Sequence, residues 1–550
     1  MSELWVPARF TQPWKVVAAV LLGALVAYGY VWRLGTNPFG TFTDEALIGV
    51  QAKRLIEGEL DFGSFGLFYN HYETVAGMLP VYATAPFVWV LGLNDFSLRL
   101  ASVFYVALTF GVLWLTFRRL KIASPWLPVL IFALSPITIH IGRVNFGHTP
   151  ALFLMALGYW FYITGRDRLN LPLSLLGGVA IGASAYGYPG FYLATPLFLG
   201  VIVLGELLFR RLSKQRLAHT AAVAVGAVLC YLPILREMHA NPMFMARFED
   251  KDTLDAGLVS FERAELMLWN YQKYFGLDFL FEVGESGMPN QPIQRHSVIG
   301  AGELSWVTLP ILAFALLAFV FVRGGALKRA FAPFFLLAVL FPLPDLVSTR
   351  SSIPAYAFTM FTCVLLVPFV AAYGLEVLAE YRDGSVRQEH HAGNFNPFAI
   401  IGRRLISTPV ITAAVAVAGF FFVFATYAKY PEASSGYWGW QAGPRDMIAY
   451  FTEHHEQYDQ FIMEGTFNNP DIFLDFYIDD PEVRVKAVVG GFDQRRIAGD
   501  QLFAFSRETY DTQALASEWI IQDVIYYPDD TVAFYLLEHV RDDPGVRELP

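Results

Sequence analysis

Two neighbouring stretches decide how this chain is read: residues 14–32, "WKVVAAVLLGALVAYGYVW", and residues 42–59, "FTDEALIGVQAKRLIEGE". The first is an apolar run long enough to cross a bilayer, which takes about 18 residues or more. It has no small-residue cleavage site, so it reads as a retained helix rather than a signal peptide. The second opens with two adjacent carboxylates, Asp44 and Glu45, where the chain leaves the lipid. Leu47, Ile48, Leu55 and Ile56 then recur at near-helical spacing with Lys53, Arg54 and Glu57 between them. That pattern predicts an amphipathic helix lying along the membrane surface. The acid pair has two readings. Thr43 caps the helix with both acids in its first turn, where carboxylates favour the positive helix end. Alternatively, partial desolvation raises a carboxylate's pKa until it can act as a general base.

Composition supports a membrane protein throughout. Of 550 residues, 55% are hydrophobic and only 16% charged, against about 25% charged in ordinary soluble domains. Cys230 and Cys363 both lie in apolar segments, which predicts buried thiols rather than a disulfide framework. Residues 431–550 hold 23 acidic and 8 basic residues, a balance of −15, while the rest of the chain holds 26 and 31, a balance of +5. The acidity belongs to a soluble tail, and nothing resembles a basic nucleic-acid face.

Eleven spans are expected, at roughly 14–34, 97–117, 124–141, 149–164, 171–188, 190–209, 217–236, 304–323, 329–347, 354–374 and 408–428. The stretch at 76–92 is apolar but short and interrupted by Pro80 and Pro86, so it is placed at the interface. "RRLK" (118–121), "RDR" (166–168), "RRLSKQR" (210–216) and "RGGALKR" (323–329) then share one side with Arg9 and Lys15. By the positive-inside rule that side is the cytoplasm. The expectation is an integral plasma-membrane protein with its N-terminus inside and its C-terminus outside. The chain divides into a membrane domain, 1–430, and an acidic extracytoplasmic α/β domain, 431–550. The first outer loop, 35–96, carries interfacial helices, and a long outer loop covers 237–303.

The polar candidates gather on the outer side. Arg143, Asn145 and His148 follow the third span, and Arg350 lies beside Asp345 at the mouth of a later one. Each arginine either snorkels to headgroups or belongs to a clamp for a lipid-linked phosphate, which suits the guanidinium fork. His71, Glu73, Tyr186 and His296 are further candidates for contacting substrate. No zinc-ligand spacing is present, and a divalent cation held by Asp44 and other carboxylates stays open. The chain has neither a Walker loop nor a GxSxG elbow.

With these residues in place, the chain resembles the GT-C superfamily of membrane glycosyltransferases, within it the protein O-mannosyltransferase and lipid A aminoarabinose transferase group. The resemblance rests on the first span, on "FTDEALIGVQAKRLIEGE", and on "FVWVLGLNDFSLRLASVFYVALTFGVLWLTFRRL" (87–120). It covers about residues 14–210 and continues more loosely through "TRSSIPAYAF" (349–358). One departure is "HYETVAGMLP", where many relatives carry Lys-Pro-Pro and where His71 is the available substitute. The resemblance implies a GT-C-like fold of about eleven spans. It also implies inverting transfer of a sugar from a polyprenyl- or dolichyl-phosphate carrier to a protein, lipid or glycan acceptor on the outer face. By position it makes Asp44 the base with Glu45 its companion, and Arg143 and Arg350 the donor-phosphate ligands.

The competing class is a transporter or flippase of lipid-linked saccharides, which calls for ionisable groups near the bilayer midplane or broken helices there. The spans here are nearly free of charge. In the tail, short apolar runs alternate with loops and predict a small α/β domain. Tyr437, Trp438 and Trp440 stack on a sugar or, the plainer reading, pack at the membrane edge.

Overall fold

A computed structural model describes residues 13–60, 66–71, 74–209, 213–241, 260–287, 294–322, 325–343, 356–382, 407–437, 439–465, 469–491, 500–513 and 518–540. The segment after helix α1 (Pro13–Val31) holds α2 (Thr43–Glu57), a hairpin of β1 (Phe68–His71) and β2 (Thr74–Gly77), and α3 (Leu79–Leu91). Helix α2 stops where Gly58 adopts a left-handed φ of 77° and its N–H closes on Arg54 and Leu55 carbonyls. Helix α3 has 13 residues, about 20 Å at 1.5 Å per residue, well short of a bilayer core of about 30 Å.

Helix α4 (Asp95–Arg119) begins at a capping box in which Asn94 and Ser97 each bond the other's backbone N–H. Beyond it the expected single span over 124–141 is two short helices, α5 (Trp126–Ala133) and α6 (Pro136–Gly142). Ser135, held extended before Pro136, breaks the run. Helices α7 (His148–Arg168), α8 (Leu171–Ala183), α9 (Phe191–Phe209) and α10 (Lys214–Ala240) follow. Helices α8 and α10 meet backbone to backbone: a Cβ on Gly178 would collide with the Val223 carbonyl oxygen. The remainder of this part comprises α11 (Ser260–Lys273), α12 (Leu309–Phe321), α13 (Ala326–Leu340), α14 (Tyr356–Arg382) and α15 (Thr408–Ser434). Among the described residues, four helices are long and apolar enough to cross a membrane unaided: α4, α9, α10 and α15. There are five if the bent pair Trp306–Phe321 and Ala326–Leu340 counts as one span. Several of the eleven expected spans are thus shorter or broken helices.

The C-terminal part forms a mixed five-stranded sheet of order β4-β3-β5-β7-β6, from β3 (Gln460–Glu464), β4 (Ala487–Gly490), β5 (Gln501–Ser506), β6 (Trp519–Tyr526) and β7 (Val532–His539). Strand β3 runs parallel to β4 and β5, and β7 is antiparallel to both its neighbours. Helix α17 (Asp471–Tyr477) packs against α2, and α16 (Gly443–Glu453) packs against α17. Ala46, Leu47 and Val50 share one apolar core with Met447, Ile448, Phe473 and Phe476. This corrects the expected surface-lying helix: Leu47 and Ile48 are each 4% exposed, and the core that holds Leu47 is built from α3, α4 and the tail domain. Each such buried side chain contributes about 1.5–3 kcal/mol relative to exposure. Lys53–Asp479 and Arg54–Asp475, both at 3.0 Å, close the rim of this contact.

Candidate active site

The site is built on the turn between α1 and α2. Arg99, near the start of α4, has 0% side-chain exposure and gathers that turn around itself. Its Nη1 donates to the carbonyls of Leu34 (3.3 Å) and Pro38 (2.7 Å), and its Nη2 to that of Gly40 (2.5 Å). The same guanidinium reaches Glu45, with Nη2–Oε2 at 3.1 Å and Nε–Oε1 at 3.4 Å. Glu45 is equally buried, and its Oε1 also accepts from the Asn145 backbone N–H at 2.7 Å. Burial pushes the Glu45 carboxyl upward, while the Arg99 charge, the Arg99 hydrogen bonds and the Asn145 N–H pull it back. Asn145 Nδ2 is committed to Thr84 Oγ1 (2.8 Å) and the Leu98 carbonyl (3.1 Å).

Glu45 and Asp44 therefore separate, although they are adjacent in sequence. Glu45 points into the protein, and Asp44 is only half-buried in the first turn of α2. The N-cap is Phe42, which makes no side-chain cap bond, and Thr43 Oγ1 instead donates to Gln441 Oε1 at 3.1 Å. Thr43 is not the cap that spacing predicted, because the tail domain engages its hydroxyl.

Arg295 completes the neighbourhood of Asp44. Its guanidinium carbon lies 3.6 Å from the centroid of the Phe42 ring, on the residue that begins α2. Burial lowers the Arg295 pKa, and Asp44 is the first of the negative groups that oppose this, followed by Tyr188, Tyr430 and Glu285. His148, first residue of α7, has its ring 4.5 Å from that of Tyr188, and it too senses the charges of Asp44 and His296. The wall behind is aromatic. Trp440, fully buried, stacks on Phe146 at 5.6 Å, donates from Nε1 to Tyr430 Oη at 3.0 Å, and lies under the Arg99 guanidinium at 5.7 Å. Trp440 is thus packing inside the protein, and no sugar can stack on it in this arrangement.

The segment carrying Arg295 is fixed residue by residue. Tyr430 Oη donates to the Gln294 carbonyl (2.8 Å), and His140 Nε2 donates to the Arg295 carbonyl (2.7 Å). His296 Nδ1 and Glu285 Oε1 are 2.6 Å apart. Ser297 and Ser286 exchange N–H···Oγ bonds of 3.0 and 2.8 Å. The Glu285 N–H donates to Glu303 Oε1 at 2.8 Å, and the Glu303 carbonyl accepts from the Ile137 N–H of α6 at 3.1 Å. Burial pushes the Glu303 carboxyl up to about 8 and that of Glu285 well above its usual range.

The other expected residues fall elsewhere. Arg143 is fully buried, with Nη1 on the Gly29 carbonyl (2.7 Å) and Nη2 on those of Trp32 (2.6 Å) and Asn37 (2.8 Å). It closes the C-terminal end of α1. Tyr186 donates to the Cys230 carbonyl at 2.9 Å and packs with Phe68, in a separate apolar cluster. His71 ends β1 with Thr74 as its strand partner, while Glu73, Arg350 and Trp438 lie outside the described residues. Among the described residues, no group of three His, Cys, Asp or Glu side chains is arranged to hold a metal ion. The sequence reading passed over Arg99, Arg295, Glu285 and Glu303. A charged residue early in an apolar run was the available signal for Arg99, and adjacency to His296 was the signal for Arg295.

No family model and no curated protein sequence matches the chain. Among solved structures, ArnT from Cupriavidus metallidurans bound to undecaprenyl phosphate aligns with a TM-score of 0.57 at 13% identity, over 96% of this chain and 99% of that one. The apo form of ArnT aligns at 0.54 and 14%, over 96% and 98%. An Archaeoglobus fulgidus oligosaccharyltransferase in its apo form gives 0.49 and 11%, over 96% of this chain and 75% of that one. The chain therefore has an ArnT-like fold along nearly its whole length, the fold implied by the resemblance of its first half to GT-C enzymes.

Proposed function

We propose that this protein is an inverting glycosyltransferase that moves a sugar from a polyprenyl-phosphate carrier to an acceptor hydroxyl at the outer face of a membrane. The observation that carries this reading is the Arg295 guanidinium lying over the ring of Phe42, the residue that begins α2, with its charge interacting with that of Asp44 in the first turn: one carboxylate able to take a proton and one guanidinium able to hold a phosphate. An ArnT-like fold, known in a complex with undecaprenyl phosphate, supports the choice of carrier. The basic clusters at 118–121, 166–168 and 210–216 support placing this end of the helices on the outer side.

In this mechanism the acceptor hydroxyl attacks the sugar's anomeric carbon from the face opposite the phosphate. Its proton passes to Asp44 as the new glycosidic bond forms. The bond between the anomeric carbon and the phosphate oxygen breaks, and its electron pair stays on the phosphate. That oxygen gains charge in the transition state, where a fixed cation is most effective. Arg295 supplies this charge without a proton transfer, and its seat on Phe42 keeps the guanidinium oriented. Arg350 remains a candidate second cation. Glu45 acts through Arg99, holding the first turn of α2 so that Asp44 faces outward.

The test is transfer in proteoliposomes from a panel of radiolabelled polyprenyl-phosphate sugars to a cell-envelope extract, with wild type beside Asp44→Asn. The expected result is transfer by wild type and loss of at least about 100-fold in the variant, with donor binding retained. Equal rates in both would remove Asp44 as the base.

A further inference from the structure

The segment that presents Arg295 is braced far more heavily than an exposed loop requires. Four consecutive residues, Gln294 to Ser297, each make a tertiary hydrogen bond through a main-chain or side-chain atom. Three of those bonds use the main chain, to Tyr430, His140 and Ser286. The fourth is different in kind. His296 Nδ1 and Glu285 Oε1 lie 2.6 Å apart with side-chain exposures of 15% and 2%, so a single proton shared between the two atoms ties them in a nearly dry setting. Low dielectric strengthens such a short hydrogen bond.

The tie has a foundation. Glu285 is itself held through its N–H by Glu303, whose own carbonyl is bonded by Ile137 at the start of α6. A continuous path therefore runs from the helical wall through Glu303, Glu285 and His296 to the residue next to Arg295. The Arg295 main chain is anchored on the same wall, since His140, three residues beyond Ile137, bonds its carbonyl. The guanidinium is thus placed from two sides, by its own carbonyl and by the side chain of its neighbour.

We infer that Glu285 and His296 are positioning residues for the anion site, holding Arg295 over Phe42 at the height where a lipid-linked phosphate meets it. This deepens the function proposed above and rests on it: the ligand addressed is the donor phosphate, and Glu285 and His296 act through Arg295. A placement error of about 1 Å at such a site costs on the order of 100-fold. Loosening one of two supports is therefore expected to weaken donor binding by roughly 10- to 100-fold.

The experiment measures two quantities on full-length protein in detergent: binding of a short-chain polyprenyl phosphate, which needs no turnover, and KM for donor and acceptor separately. Glu285→Leu removes the tie at similar volume. Glu285→Asp keeps the carboxyl group but withdraws it by one methylene, and serves if the leucine variant does not fold. Glu285→Gln retains a hydrogen-bonding atom at Oε1 and is the rescue variant. The expected result is weaker polyprenyl-phosphate binding and a higher donor KM in Glu285→Leu and in Glu285→Asp. The acceptor KM stays unchanged, and Glu285→Gln returns to within about threefold of wild type. Unchanged polyprenyl-phosphate binding in both the leucine and the aspartate variant overturns the inference, as does a loss spread equally over donor and acceptor KM. Arg295→Ala separates this inference from the proposed function. If that variant binds polyprenyl phosphate like wild type, the phosphate site itself is misassigned. If it loses binding while the Glu285 variants keep it, only the bracing role falls.

Discussion

The ion pair between Glu45 and Arg99 gives Glu45 a structural part beside the proposed base Asp44, and a double-mutant cycle tests it directly. Both side chains are fully buried, joined at 3.1 and 3.4 Å. In Arg99→Met the Glu45 carboxylate keeps the Asn145 N–H but loses its countercharge, and the carbonyls of Leu34, Pro38 and Gly40 each lose a donor. Breaking a buried pair from one side costs about 3–5 kcal/mol, and each orphaned buried carbonyl adds about 1–3 kcal/mol where water does not reach it. Glu45→Gln removes the charge but leaves an oxygen for Asn145, so it is expected at the lower end of that range, about 3 kcal/mol. The double variant no longer contains a buried uncompensated charge. Its destabilisation should fall short of the sum of the singles by about 1–3 kcal/mol. The assay is denaturant-induced unfolding in detergent, read by tryptophan fluorescence, with transfer activity normalised to folded protein. Simple additivity of the two single changes would refute the pair as the organiser of this turn. A Glu45→Gln protein of full stability and no activity would do so more sharply, since it would return Glu45 to the chemistry.

Three further outcomes follow from the same geometry. Arg143→Met should lower stability by about 3 kcal/mol or more through the orphaned carbonyls of Gly29, Trp32 and Asn37, yet leave polyprenyl-phosphate affinity per folded molecule unchanged, as measured by ligand titration. Gly40 has φ 101°, and a Cβ there would lie 2.5 Å from the Trp440 carbonyl oxygen, so Gly40→Ala should destabilise by about 2 kcal/mol or more, seen as a lower unfolding midpoint. Glu303 is the pH-sensitive case. Its folded pKa of about 8 stands above the usual carboxyl value of 4.5, so its favourable contribution is complete below about pH 4.5 and is lost as pH rises towards 8, by at most about 1.4 kcal/mol per pH unit. Glu303→Gln should therefore gain in melting temperature relative to wild type between pH 5 and 8, and a constant difference across that range would contradict the reasoning.

Much of the architecture was legible because it follows from periodicity and punctuation. The helix after Asp44, the short apolar segment at 79–91 and the strands of the tail all announce themselves through spacing and through Pro and Gly. What covers each apolar face was not legible. Leu47 would show the same pattern under lipid or in a core with Phe473 and Phe476, because the spacing of apolar residues tells that a face is buried and not by what. The break at Ser135–Pro136 was visible as a dipeptide, but a proline inside an apolar run is also compatible with a kinked span. The apolar character of the run gave no ground for choosing between them.

Asp44 could be singled out in the sequence as the proposed base and Arg295, its proposed partner, could not, for an electrostatic reason. Arg143 and Arg295 look alike in sequence, each a cation close to a polar side chain, Asn145 two residues after the first and His296 directly after the second. The difference lies in what neutralises them. Helix α1 ends with no basic residue in its last turn, so the partial negative charge of its terminal carbonyls is unmet locally. Arg143 meets it, spending its two Nη groups on Gly29, Trp32 and Asn37. Arg99 is consumed in the same way by Glu45 and three carbonyls. Once those two guanidinia are assigned to carbonyls and to Glu45, Arg295, over the Phe42 ring and interacting with the charge of Asp44, is the candidate that remains for the phosphate. A helix end lacking its own C-terminal cation thus marks the place where a nearby arginine is structural. Applied to the turn after α1, that rule moves the phosphate site from Arg143 to Arg295, and the contrasting effects of Arg143→Met and Arg295→Ala on polyprenyl-phosphate binding decide whether it holds.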